Sequence, residues 1–141
     1  MNSTLSHTSV IFIDSRMAID TTQVAPGTQV IQIEPTEDGI ARISQVLATQ
    51  QNIGSLQIIG HGNAGHLFLG NVELSNDNLA QYETQVRGWG SALAEDGDLL
   101  LFGCDVAAGD IGKTFVHQIA ELTQADVAAS IDLTGNAALG G

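Results

Sequence analysis

Two short segments combine residue types that can do covalent chemistry: Ile58-Ile59-Gly60-His61-Gly62 and Leu101-Phe102-Gly103-Cys104-Asp105. Cys104 is the only cysteine, and it stands 43 residues after His61. A thiolate is a strong nucleophile, and an imidazole within hydrogen-bond reach can take the thiol proton and later return it to a leaving group. Both residues directly follow an apolar run of strand type. If those runs are neighbours in a parallel sheet, His61 and Cys104 share one sheet edge, about 5–7 Å apart at ordinary strand spacing. The pattern predicts a Cys104–His61 catalytic dyad. Gly62 lets the backbone approach a substrate carbonyl, and its N–H with that of Cys104 can form an oxyanion hole. Gly103 permits the sharp turn that projects the thiol. Asp105 either raises the thiol pKa or caps the helix beginning near Ala107, and capping is preferred. The competing reading makes Cys104 a small buried hydrophobe and His61 a loop former. No Asp or Asn that orients His61 is identifiable.

Other chemistries fit less well. His61, His66 and Cys104 together resemble some zinc or copper ligand sets, but their loop gives no spacing that fixes both imidazoles. No metal is expected, and no cofactor. The segment Gly62-Asn63-Ala64-Gly65 lacks both the dinucleotide spacing and the lysine of a phosphate loop. Asn76-Asp77-Asn78 and Glu95-Asp96-Gly97-Asp98 read as turns rather than calcium loops. His66 is assigned to holding its loop, His117 to a helix surface and Trp89 to the core.

The elements that must position the pair are legible in outline. Val10–Ile13, Gln29–Ile33, Leu56–Ile59, Asp98–Phe102 and Asp126–Ser130 read as strands. Ile40, Ile43, Val46 and Leu47 form the stripe of an amphipathic helix that starts at Thr36–Asp38 and is ended by Gly54. Gly70-Asn71 between two short apolar segments signals a hairpin. Helices are predicted around Leu79–Gly88 and over Ile111–Leu122. Strands alternating with helices indicate an α/β fold: a three-layer sandwich, with a mainly parallel sheet flanked by helices on both faces. Right-handed crossovers gather the strand C-termini, and with them Asp14, His61 and Cys104, on one edge.

The chain has 141 residues, one domain's worth, with 16 Asp+Glu against 4 Lys+Arg and a formal charge of −12. That excess excludes unspecific nucleic-acid binding and docking on anionic lipid, both of which need a basic face. With 43% hydrophobic residues there is ample material for a core. A lone cysteine excludes an intramolecular disulfide framework. No apolar run approaches the roughly 20 residues of a membrane span, and no Sec signal is visible at the start.

The His-Gly strand end followed by a small-Cys strand end is similar to the caspase-like cysteine peptidases, the clan of caspases, metacaspases, legumain and separase. A closer resemblance runs from the Ile13-Asp14-Ser15 strand through Ile59-Gly60-His61-Gly62, Leu100-Leu101-Phe102-Gly103-Cys104-Asp105-Val106-Ala107 and Ala125–Ser130 to Gly140-Gly141. On it the chain is identified as a member of the bacterial family called domain of unknown function 4347. That family stands at the N-terminal end of large repeat-bearing surface or exported proteins.

The resemblance implies a caspase-like domain over residues 1–141, with 1–8 a flexible tail and 136–141 a processed or truncated one. It implies a cysteine endopeptidase acting on a polypeptide, or on its own downstream chain after Gly141, in an extracellular or cell-surface setting. Asp14 then helps build the pocket for the residue before the scissile bond and favours Arg or Lys there. Gly103 and Asp105 are counted with it as substrate-binding positions. The plainer reading of Asp14-Ser15-Arg16 is a turn. The alternative function is a non-catalytic adhesion or targeting module on the same scaffold.

Overall fold

The computed structural model describes residues 8–16, 28–103 and 106–129. Five strands form one parallel sheet: β1 (Thr8–Asp14), β2 (Gln29–Ile33), β3 (Ile53–Ile59), β7 (Leu93–Phe102) and β8 (Asp126–Ala129), in the order β2-β1-β3-β7-β8. A second, antiparallel sheet of β4 (His61–Asn63), β5 (His66–Leu69) and β6 (Val72–Ser75) is inserted between β3 and β7. Three α-helices complete the described chain: α1 (Gly39–Leu47), α2 (Glu83–Ala92) and α3 (Gly109–Thr123). None is long and apolar enough to cross a membrane.

Strand alternation sorts the core. Val10 and Phe12 of β1, Leu56 and Ile58 of β3, and Leu99 and Leu101 of β7 turn to one face. There they meet Ile40 and Ile43 of α1, Val86 and Trp89 of α2, and Phe115 and Ile119 of α3. Ile11, Ile13 and Ile59, with the partly buried Phe102, form a separate cluster on the opposite face. All three described helices therefore lie on one side of the sheet, with α2 between α1 and α3. The expected helices on the other face are not seen among the described residues.

The cause is the direction of travel. The connections β2→β3, β3→β7 and β7→β8 all step the same way across the sheet, and right-handed crossovers in one direction share one face. The connection stepping the other way, β1→β2, runs through residues 17–27, outside the described residues.

The local signals are mostly realised. Asp38 caps α1, its carboxylate accepting from the Ala41 N–H at 3.0 Å. The hairpin at Gly70-Asn71 joins β5 to β6. Two boundaries differ. Helix α1 ends at Leu47 and Gly54 sits inside β3. Helix α2 runs on through Gly88 and Gly90 to Ala92. At Gly90 a side chain would run into the Thr123 carbonyl, so the missing Cβ brings α2 and α3 close rather than ending the helix. Trp89 is buried as expected, its Nε1–H donating to Ser44 Oγ on α1 at 3.1 Å.

Candidate functional site at the switch point of the sheet

From β1 the chain steps one way to β2, then returns past β1 to β3. The C-terminal ends of β1 and β3 therefore diverge, and such a switch point is where open α/β sheets leave a crevice. The structure has a cleft of ≈ 550 Å³ there, lined by Arg16 after β1, Pro35 after β2, His61 after β3, and Phe68, Asn71 and Glu73 of the antiparallel sheet.

The antiparallel sheet is one wall of that cleft because of its alternation. Leu67, Leu69 and Leu74 point into the core and are fully or almost fully buried. His61, Phe68 and Glu73 face each other across the three strands on the other side. The imidazole of His66 pairs through Nδ1 with a Glu73 carboxylate oxygen, and its ring lies 6.5 Å from that of Phe68, nearly parallel. His66 thus sits on a strand rather than holding a loop. His61 is exposed, and among the described residues no side chain hydrogen-bonds its ring. Sequence reasoning missed β4 altogether. Three residues, His-Gly-Asn, are too few to show an alternation.

The β3–β7 register bears directly on the predicted pair. The strands are adjacent and parallel, with Ile59 opposite Phe102. The ladder continues one step further, the Gly60 N–H donating to the Phe102 carbonyl at 2.9 Å. At Gly103 a Cβ would come within 2.9 Å of the Gly60 carbonyl oxygen and 3.1 Å of the Gly62 Cα. Gly103 is therefore where β7 presses against the turn into β4, a contact only glycine allows. On the far side of residues 104–105, the Val106 carbonyl accepts from the Gly65 N–H at 3.0 Å. Gly65 stands in the β4–β5 turn at φ +72°. The chain is thus tied to the His61 strand both before and after Cys104 and Asp105. Those two residues, and Gly141, lie outside the described residues. Gly62 stands opposite Leu67 in β4.

Asp14 is fully buried. Its carboxylate accepts from the Arg16 backbone N–H at 2.9 Å, Arg16 Nε at 2.8 Å, Arg16 Nη2 at 2.6 Å and the Gly70 N–H at 2.8 Å. Burial alone raises its pKa, but the hydrogen bonds from Arg16 and Gly70 outweigh that and hold it at about 2. The same contacts push the Arg16 pKa up. Asp14 is therefore the inner half of a turn, and the group that reaches the cleft is the Arg16 guanidinium, with 40% of its side chain exposed. The spacing Asp14-Ser15-Arg16 was the signal for this pair.

Gly70 binds the cleft together. It bridges to Asp38, its carbonyl accepts from Arg16 Nη2 at 2.7 Å, and the next residue donates to the Glu37 carbonyl at 2.9 Å. Its φ of +66° suits glycine, and a Cβ there would strike the Glu37 carbonyl. Among the described residues no cluster of three or more His, Cys, Asp or Glu side chains converges as metal ligands do.

Residues 10–141 match the family described as domain of unknown function (DUF4347). The chain belongs to that family. Searched against curated proteins, this DUF4347 domain has no match. Among solved structures it is similar to one described as the crystal structure of a small-chain dehydrogenase. The identity is 12%, the TM-score 0.47, and the match covers 86% of this chain and 81% of that one.

Proposed function

We propose that this DUF4347 domain is a cysteine endopeptidase of caspase-like type, with Cys104 as nucleophile and His61 as its base. The observation that carries the reading is the β3–β7 register. The strands that precede His61 and Cys104 in the sequence are adjacent and parallel, with Ile59 opposite Phe102, which supports a reading in which the two side chains meet at one sheet edge. The ties from Gly103 to Gly60 and Gly62, and from Val106 to Gly65, support the same juxtaposition. In this reading His61 takes the Cys104 proton as sulfur attacks the peptide carbonyl, then protonates the leaving amine. The N–H groups of Gly62 and Cys104 hold the oxyanion. Helix α3 begins at Gly109 after Ala108, later than the start near Ala107 expected for a cap at Asp105, and has no side-chain cap. The substrate is a polypeptide, and the setting is extracellular or at a cell surface, in keeping with the acidic, lysine-poor composition.

Thiol alkylation tests the dyad. Iodoacetamide is expected to modify Cys104 of the native protein near neutral pH at least tenfold faster than in His61→Ala, because removing the base returns the thiol to its ordinary protonated form. Equal rates in the two proteins would refute it. One observation favours a second reading, a non-catalytic adhesion or targeting module: among the described residues nothing hydrogen-bonds the His61 ring to orient it. A thiol that stays inert in the folded protein and reacts only on unfolding would decide for that module.

A further inference from the structure

The sign of the cleft is the reverse of what Asp14 suggests in the sequence. The chain has only four Lys and Arg residues. Arg42 pairs with Glu37, and Arg87 with Glu83 one helical turn away on α2, both near the surface. Lys113 stands exposed on α3. Of the four, only Arg16 lines the switch-point cleft.

Its guanidinium is also held rigidly. Nε and Nη2 are fixed by the two Asp14 oxygens and the Gly70 carbonyl, while Nη1 has no hydrogen-bond partner among the described residues. A planar fork immobilised on one edge loses little entropy when its other edge binds a ligand. The remaining acidic group of the cleft, Glu73, is engaged by His66. Asn71 adds a polar side chain and Phe68 an exposed ring against which a short aliphatic stem can lie.

We infer that this cleft is a carboxylate-binding subsite, in which the Nη1 edge of Arg16 anchors the side chain of an acidic residue of a bound polypeptide. It stands on the cleft alone and does not require chemistry at Cys104. Asp14 acts here as a positioning residue, since it aims the guanidinium and does not touch the ligand.

The test uses the Cys104→Ala chain, so that turnover plays no part. The short peptides acetyl-Ala-Ala-Asp-amide, acetyl-Ala-Ala-Asn-amide and acetyl-Ala-Ala-Lys-amide are titrated by calorimetry. In parallel the Arg16 Nε–H signal is followed by NMR. The Asp peptide is expected to bind at least tenfold tighter than the other two and to move the Arg16 signal saturably. The Asp14→Asn/Arg16→Gln double variant preserves net charge and avoids stranding a buried carboxylate. In it the preference is expected to vanish while the circular dichroism stays native. Should the double variant fail to fold, the Arg16 signal in the parent chain still decides. Acetate as a competitor separates the sources: displacement by millimolar acetate identifies any small carboxylate as the ligand, and none identifies the peptide. Equal binding of the Asp and Asn peptides, tighter binding of the Lys peptide, or no binding of any of them overturns the inference.

Discussion

Replacing Asp14 by Asn removes one negative charge from a fully buried site while keeping its shape, and the structure sets the size of the effect. The carboxylate has an ordinary pKa of 3.8 and is held at about 2 in the folded chain. That difference corresponds to about 2 kcal/mol of stability at neutral pH. The folded pKa lies below the unfolded one, so the contribution is complete above pH ~4 and is lost as the pH falls from 3.8 towards 2. An Asn side chain can still accept from the Gly70 N–H, but its amide group faces Arg16 donors where an acceptor stood. Arg16 itself reaches water, so its loss of partner adds little. Asp14→Asn is therefore expected to lower stability by about 2 kcal/mol at pH 7 and by much less at pH 2.5. Urea unfolding followed by fluorescence is a direct assay, because Trp89 is the only tryptophan and is buried. A loss below about 0.5 kcal/mol at pH 7, or one that does not shrink at low pH, would refute the reasoning.

Three further expectations follow from other parts of the structure. Gly70→Ala forces a left-handed backbone on a residue with a Cβ and drives that Cβ into the Glu37 carbonyl; a loss of at least about 2 kcal/mol is expected in the same unfolding assay. Ser44→Ala leaves the buried Trp89 N–H without its acceptor, which costs about 1–2 kcal/mol and alters the near-ultraviolet dichroism of the indole. Phe115→Ala empties a fully buried site between α3 and the sheet, with an expected loss of about 3–5 kcal/mol by thermal or urea melting.

How much of this was legible depended on the range of the interactions. The parallel strands announced themselves because each is a short apolar run, and the Asp38 cap and the Gly70-Asn71 turn are set by a few consecutive residues. The expectation that β3 and β7 are neighbours rests on their shared apolar, parallel-strand character, and they are adjacent and parallel, with Ile59 opposite Phe102. That the three described helices share one face was not legible, because it depends on strand order, and nothing local specifies that order. The inward turn of Asp14 was hidden for a similar reason. One of the four hydrogen bonds that hold its carboxylate, from the Gly70 N–H, comes from 56 residues away. Glycine's low helix propensity argues for ending the helix near Gly88. At Gly90 the close approach of α3 outweighs that propensity, and at Gly88 there is open space around the position.

The sheet topology also has a consequence for the order of folding. Within the parallel sheet no pair of strands can zip directly from a tight turn, since parallel neighbours need a long connection, and closing such loops is slow. The β4–β5–β6 meander is different: its strands are joined by two-residue turns and can pair on the microsecond scale. His61 therefore belongs to the part of the chain that can organise first, whereas β7 must wait for long-range closure against β3. Denaturant-jump experiments with probes in the two sheets are expected to show the meander protected ahead of the β3–β7 pairing. A chain still in synthesis then presents its histidine early, and adds β7 beside β3 only later, as the parallel sheet is completed.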